Sequence, residues 1–95
     1  MYRVIWEYKV KPKAVSKFEE LYGHKGEWVK FFKQSKSYQG TELLLDDESE
    51  LSYITIDFWD SEEAYEHFLR ENKEKYELLD QKGNAFTKSE KRIWA

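Results

Sequence analysis

Residues 51–65 read LSYITIDFWDSEEAY, and the parsing of this stretch decides the fold. From Leu51 to Trp59 the side chains alternate, with Ile54, Ile56 and Phe58 on one face and Tyr53, Thr55, Asp57 and Trp59 on the other. A period of two in β-branched and aromatic residues predicts a strand. At its end Asp60 or Ser61 can cap a helix, and Glu62 and Glu63 fall in the first turn, where the helix dipole favours acids. Ala64, Tyr65, Phe68, Leu69, Tyr76 and Leu79 continue the apolar side of that helix, with a break expected near Asn72 and an end at Gly83.

Working outward, Tyr38 to Asp46 reads as a preceding strand in which Gly40 marks a bulge or close approach. A polar turn, Asp47 to Glu50, joins it to Leu51–Trp59 as a hairpin. Nearer the amino terminus, Tyr2 to Lys11 alternates, setting Tyr2, Val4, Trp6, Tyr8 and Val10 against Arg3, Ile5, Glu7 and Lys9. Pro12 stops this strand and opens a helix whose apolar stripe is Ala14, Val15, Phe18, Leu21 and Tyr22. Gly23 and Gly26 interrupt it, and Trp28, Val29, Phe31 and Phe32 mark a second piece. Glu90 to Trp94 is expected to form a short last strand.

The order β, α, β, β, α, β is the α+β, ferredoxin-like arrangement: a four-stranded antiparallel sheet with helices on one face. Helices on one side leave the other side of the sheet open. Both faces of Leu51–Trp59 carry apolar residues, so the open side calls for a second layer from another chain. The expectation is a homodimer whose sheets face each other.

Composition narrows the function. Ninety-five residues suit one domain spanning 1–95, and seventeen aromatic residues are too many for a disordered chain. So many rings in so small a domain suggest a ring-lined pocket for a small-molecule ligand, a second subunit, or both. With no cysteine, thiol chemistry and thiolate metal sites are excluded, and two distant histidines offer no metal-ligand spacing. No stretch approaches the roughly 18 apolar residues of a membrane span, and the chain opens on a strand pattern where a leader would stand. A cytoplasmic protein with no membrane contact is therefore expected. The net charge of −3 is uneven: residues 37–80 carry fourteen acids against three bases, whereas residues 1–36 carry nine bases against four acids. Leu51–Trp59 has no Lys or Arg, which argues against an RNA-binding sheet and against nucleic acid as a partner.

Several segments carry a family resemblance. Phe58-Trp59-Asp60-Ser61-Glu62-Glu63-Ala64-Tyr65 resembles the signature at the hairpin exit of antibiotic biosynthesis monooxygenase-like domains. Tyr38-Gln39-Gly40-Thr41-Glu42-Leu43 resembles their second strand, and Val10-Lys11-Pro12 the close of their first. Leu21-Tyr22-Gly23 with Gly26-Glu27-Trp28 resembles an uncharacterised branch. The resemblance implies a dimeric α+β barrel with a cavity in each subunit between sheet and helices. It also implies chemistry without a cofactor, since characterised members include cofactor-independent oxygenases of aromatic polyketides, beside quinol oxygenases and haem-degrading enzymes. The haem pattern is broken here, because the first strand offers Glu7 where those members need Asn.

On this reading Trp6, Tyr8, Trp28, Phe32, Trp59, Tyr65 and Phe68 are the candidate substrate-binding wall. Trp59 has a second reading as a plug where strand meets helix. The catalytic candidates are Trp59, Tyr8, His67 and Glu42, with Glu7 and Asp57 as further carboxylates whose pKa would rise if buried among rings. Each carboxylate also reads as an ordinary solvent-facing charge. His67, with Glu63 and Glu71 one turn either side, also reads as a surface residue in helix ion pairs. The functional expectation is a cofactor-independent monooxygenase-like domain binding a planar aromatic or quinol-type molecule. The alternative is a non-catalytic ligand-binding or regulatory homodimer of the same fold.

Overall fold

The computed structural model describes residues 1–46 and 51–94. Strand β1, Tyr2–Val10, leads through a single 3-10 turn at Pro12–Ala14 into α1, Val15–Tyr22, and α2, Glu27–Phe32. The hairpin strands β2, Tyr38–Leu45, and β3, Ser52–Trp59, follow, then α3, Glu62–Glu71, α4, Lys73–Asn84, and β4, Thr87–Trp94. The antiparallel sheet has the order β2-β3-β1-β4, the ferredoxin-like arrangement that alternation and element order predict. The expected turn Asp47–Glu50 lies outside the described residues.

Local chemistry accounts for the element ends. The Ser61 Oγ accepts a hydrogen bond from the Ala64 amide at 3.1 Å, so Ser61, rather than Asp60, caps α3. The side-chain amide of Asn72 donates to the Phe68 carbonyl at 2.9 Å, and its backbone leaves helical geometry there, which separates α3 from α4. Between Tyr38 and Gly40 the pairing with β3 shifts by one residue, and Gly40 sits at φ +135°, a conformation that L side chains rarely adopt.

Two expectations are corrected. Gly83 does not end a helix; it is buried inside α4, because a Cβ there would stand 2.2 Å from the Tyr22 hydroxyl. The last strand starts at Thr87, not Glu90, since Val10 and Lys9 offer backbone partners to Thr87 and Ser89 whatever their side chains.

Register fixes which residues share a face. Direct antiparallel pairs lie side by side, so Tyr2–Trp59, Val4–Asp57, Trp6–Thr55 and Tyr8–Tyr53 all point the same way. The burial of Val4, Tyr8, Val10, Tyr53 and Trp59 shows that this is the helix side. The more polar face of β3 therefore looks inward. Ile5, Ile54, Ile56 and Phe58 stand half-buried on the open side, beside the exposed Leu44 and Ile93.

The core is built of rings. Phe18 stacks on Tyr22 with centroids 4.4 Å apart and meets Tyr53 at 4.9 Å, while Phe31 and Phe68 meet at 4.9 Å further along. Such pairs add about 0.5–1.5 kcal/mol each beyond the burial of their area.

Candidate functional site

A cleft opens between the helix side of the sheet and the helices α1 to α4, enclosing about 460 Å³ with its mouth included. Its enclosed part is narrow, about 30 Å³. Trp6 and Tyr8 of β1, Tyr22 of α1, Trp28 and Phe32 of α2, Tyr65 of α3 and Tyr76 of α4 supply its rings. Its polar groups are Thr41 of β2, Thr55 and Asp57 of β3, Asp80 of α4 and Glu90 of β4.

Asp57 is only 8% exposed. It lies across from Val4 on one side and Thr41 on the other, and the Thr41 hydroxyl donates to its Oδ1 at 2.6 Å. That donation uses the threonine proton, so the Tyr38 hydroxyl, bonded to Thr41 Oγ1, is the donor in its own contact. A short chain of hydroxyls thus ends on the buried carboxylate. Burial pushes the Asp57 carboxyl up to about 6, against the opposing pull of the Thr41 hydrogen bond. Burial likewise holds Tyr38 at about 12, so it stays protonated and keeps donating.

Asp80 and Glu90 sit at another part of the cleft, both half-buried. Burial raises each carboxyl, and the Asp80 charge raises Glu90 further. Burial also raises Tyr8, Tyr22, Tyr65 and Tyr76, leaving their hydroxyls protonated at neutral pH as hydrogen-bond partners for a ligand. The Trp28 indole N–H is buried and lies by the Tyr22 hydroxyl, yet no described atom accepts a well-formed hydrogen bond from it.

Of the residues expected to bind substrate, the cleft gathers Trp6, Tyr8, Trp28, Phe32 and Tyr65. Trp59 and Phe68 are placed differently. Trp59 is fully buried, with Phe32, Tyr38, Tyr65 and Phe68 around it at centroid distances of 5.3–5.5 Å, and it backs the cleft wall without lining it. Phe68 packs behind the wall with it.

Among the catalytic candidates Tyr8 lines the cleft and the other three, Trp59, Glu42 and His67, do not. Glu42 pairs with Ile56 and is exposed on the open side of the sheet, because one residue from Thr41 the pleat turns the side chain over. His67 is exposed on the outer side of α3, in an open hollow with Ser35, Ser37 and Ser61. Among the described residues it forms no ion pair, so the expected pairing with Glu63 and Glu71 is absent. Glu7, opposite Ile54, belongs to the open side.

Sequence reasoning overlooked Tyr22, Thr41, Thr55, Tyr76, Asp80 and Glu90, and read Asp57 chiefly as a solvent-facing charge. A signal was present for some of them. Asp57 and Thr55 alternate with Tyr53 and Trp59, and Asp80 follows Tyr76 by four residues, one helical turn along the same side of α4.

Solved structures of similar fold include an antibiotic biosynthesis monooxygenase, at TM-score 0.71 and 21% identity, covering 100% of this chain and 98% of that one. SnoaB from Streptomyces nogalater, a cofactor-independent oxygenase, aligns at TM-score 0.76 and 17% identity over 98% of this chain and 90% of its own. A putative antibiotic biosynthesis monooxygenase from Nitrosomonas europaea aligns at TM-score 0.73 and 11% identity, over 98% and 94%. At these identities the likeness speaks for the fold. No curated protein matches the sequence. The family model for antibiotic biosynthesis monooxygenases matches residues 1–75, from β1 into α4, and this chain therefore belongs to the antibiotic biosynthesis monooxygenase family.

Proposed function

We propose that this chain is a cofactor-independent monooxygenase acting on a planar hydroxylated aromatic or quinol-type molecule held in the cleft, and that it works as a homodimer. The observation that carries this reading is Asp57, a buried carboxylate fixed by Thr41 in a ring-lined cleft and titrating near pH 6. A base of that pKa can accept a proton from an acidic aryl or enol hydroxyl at neutral pH. The Oδ of Asp57 takes the hydroxyl proton, and the substrate anion is left electron-rich at a conjugated carbon. Molecular oxygen is the oxidant and the substrate its own reductant. A C–O bond forms at that carbon, the hydroperoxide O–O bond breaks, and a methylene with one O₂ becomes a carbonyl and one water. Tyr8 and Tyr65, which line the cleft, would hydrogen-bond the substrate's oxygen. The apolar open side of the sheet, with Ile54, Ile56, Phe58 and exposed Ile93, supports the dimer.

The test is oxygen uptake by the purified protein with anthrones, reduced naphthoquinones and flavonoids. Turnover that falls by roughly 10²–10⁴ in Asp57→Asn supports the reading. Binding without oxygen uptake by any of them selects the alternative, a non-catalytic ligand-binding homodimer.

A further inference from the structure

Resting on the cleft just assigned, we propose that its preferred ligand is an organic cation: a flat hydroxylated ring bearing a protonated or quaternary amine, with the ammonium group seated at Asp80 and Glu90. Among the described residues the cleft is lined by three carboxylates and by no Lys, Arg or His. Cations are not scarce in this chain, which has sixteen Lys and Arg. Lys91, next to Glu90, lies across from Glu7 on the open side of the sheet, Lys88 is exposed, and two further cations near in sequence are committed elsewhere. Lys82, two residues beyond Asp80, turns outward to Glu27 at 2.7 Å. Arg92, two residues beyond Glu90, donates to the Tyr2 hydroxyl at 2.9 Å and lies over the Tyr65 ring at 5.6 Å. Asp80 and Glu90 are thus left with each other, and among the described residues neither has an ion-pair partner or a hydrogen-bond donor on its side chain. Two half-buried like charges without a counter-ion raise the free energy of the empty site, and a cation lowers it.

The surroundings suit the same ligand. Ring faces carry negative charge and attract ammonium groups, and Trp6, Tyr22, Trp28 and Tyr76 supply such faces. An independent sign of a ligand is the Trp28 N–H, in a side chain 8% exposed: among the described residues it has the Tyr22 hydroxyl nearby but no well-formed acceptor, so the ligand should also carry an oxygen. The cation further offsets the negative charge that the cleft holds when Asp57 is ionised.

Titratable and charged groups face these carboxylates from every side. Around Asp57 they are Tyr38, Tyr8, Tyr65 and Tyr76; around Asp80 and Glu90 they are Tyr8, Tyr22 and Tyr76, with Arg92 turned to Tyr2 and Tyr65. Burial keeps the tyrosines neutral near pH 7, and Asp57, titrating near 6, changes charge between about pH 5 and 7.5. Cation affinity should therefore rise with pH over that range, since the bound cation favours the ionised form.

The test measures, by tryptophan fluorescence and calorimetry, the binding of (4-hydroxyphenyl)trimethylammonium, its uncharged isostere 4-tert-butylphenol and the anion 4-hydroxybenzoate. The cation should bind at least roughly ten-fold more tightly than the isostere near pH 7.5, with the anion weakest and the preference shrinking toward pH 5. Asp80→Asn with Glu90→Gln should bring the cation and its isostere to within about two-fold of each other. Equal or tighter binding of the neutral phenol by the unaltered protein overturns the cation preference and leaves the cleft reading standing. Binding of none of the three overturns both.

Discussion

Asp57 concentrates the physical conflict in this molecule. Its carboxyl titrates near 6 when folded, against an ordinary value of 3.8, so between those limits the folded state holds the proton more tightly than the unfolded one. Stability from this group is greatest below about pH 4 and falls as pH rises through 6; above that, both states are ionised and the buried charge costs about 3 kcal/mol. Asp57→Asn, which keeps an acceptor for Thr41, should stabilise the protein by about 1–3 kcal/mol near pH 7.5, with the gap closing below pH 4. Urea unfolding across that pH range checks it, and an unchanged slope between pH 4 and 6 would contradict the assignment. Thr41→Val should push the Asp57 carboxyl further up, because the Thr41 hydrogen bond is what opposes burial. A carboxyl-carbon NMR titration reads that directly. The sequence shows Asp57 on the same face as Trp59, but a charged residue in a strand is equally at home in water, and nothing local distinguishes the two.

Element ends were legible where the signal is local. A cap at Asp60 or Ser61, of which the fold uses Ser61, and a break near Asn72 are legible in the sequence because a cap is a contact within four residues. Ser61→Ala should cost about 1 kcal/mol, measured by chemical unfolding with near-unchanged spectra. Gly83 was misread because its reason lies on another element. Glycine inside a helix gives up about 1 kcal/mol relative to alanine, and here it makes room for the Tyr22 hydroxyl. The Tyr22 ring is held by Tyr8 at 4.8 Å and Phe18 at 4.4 Å, so it cannot retreat from an added methyl. Gly83→Ala should therefore lose about 1–3 kcal/mol from overpacking and lower the melting temperature, despite its better helix propensity. A rise in melting temperature would show that Tyr22 moves freely.

At the scale of the whole molecule the open side of the sheet sets the expectation. Light scattering should give about twice the 11.6 kDa of one chain, and Ile56→Glu, which places a charge at the centre of that side, should return it to a monomer. A monomeric unaltered protein would contradict the dimer. The sequence by itself determined the order of strands and helices and which residues share a face of each, though not where the last strand begins, because alternation and helical period are properties of a backbone over a few residues. Only the tertiary structure decided which face turns inward. Tyr53, Thr55, Asp57 and Trp59 lie under the helices because register pairs them with Tyr8, Trp6, Val4 and Tyr2, and that pairing joins segments some fifty residues apart. The same step brought Asp80 and Glu90 to one cleft and left Glu42 and His67 outside it. Whether a carboxylate is a solvated charge or a buried acid depends on what packs over it, and no stretch of sequence around it carries that information.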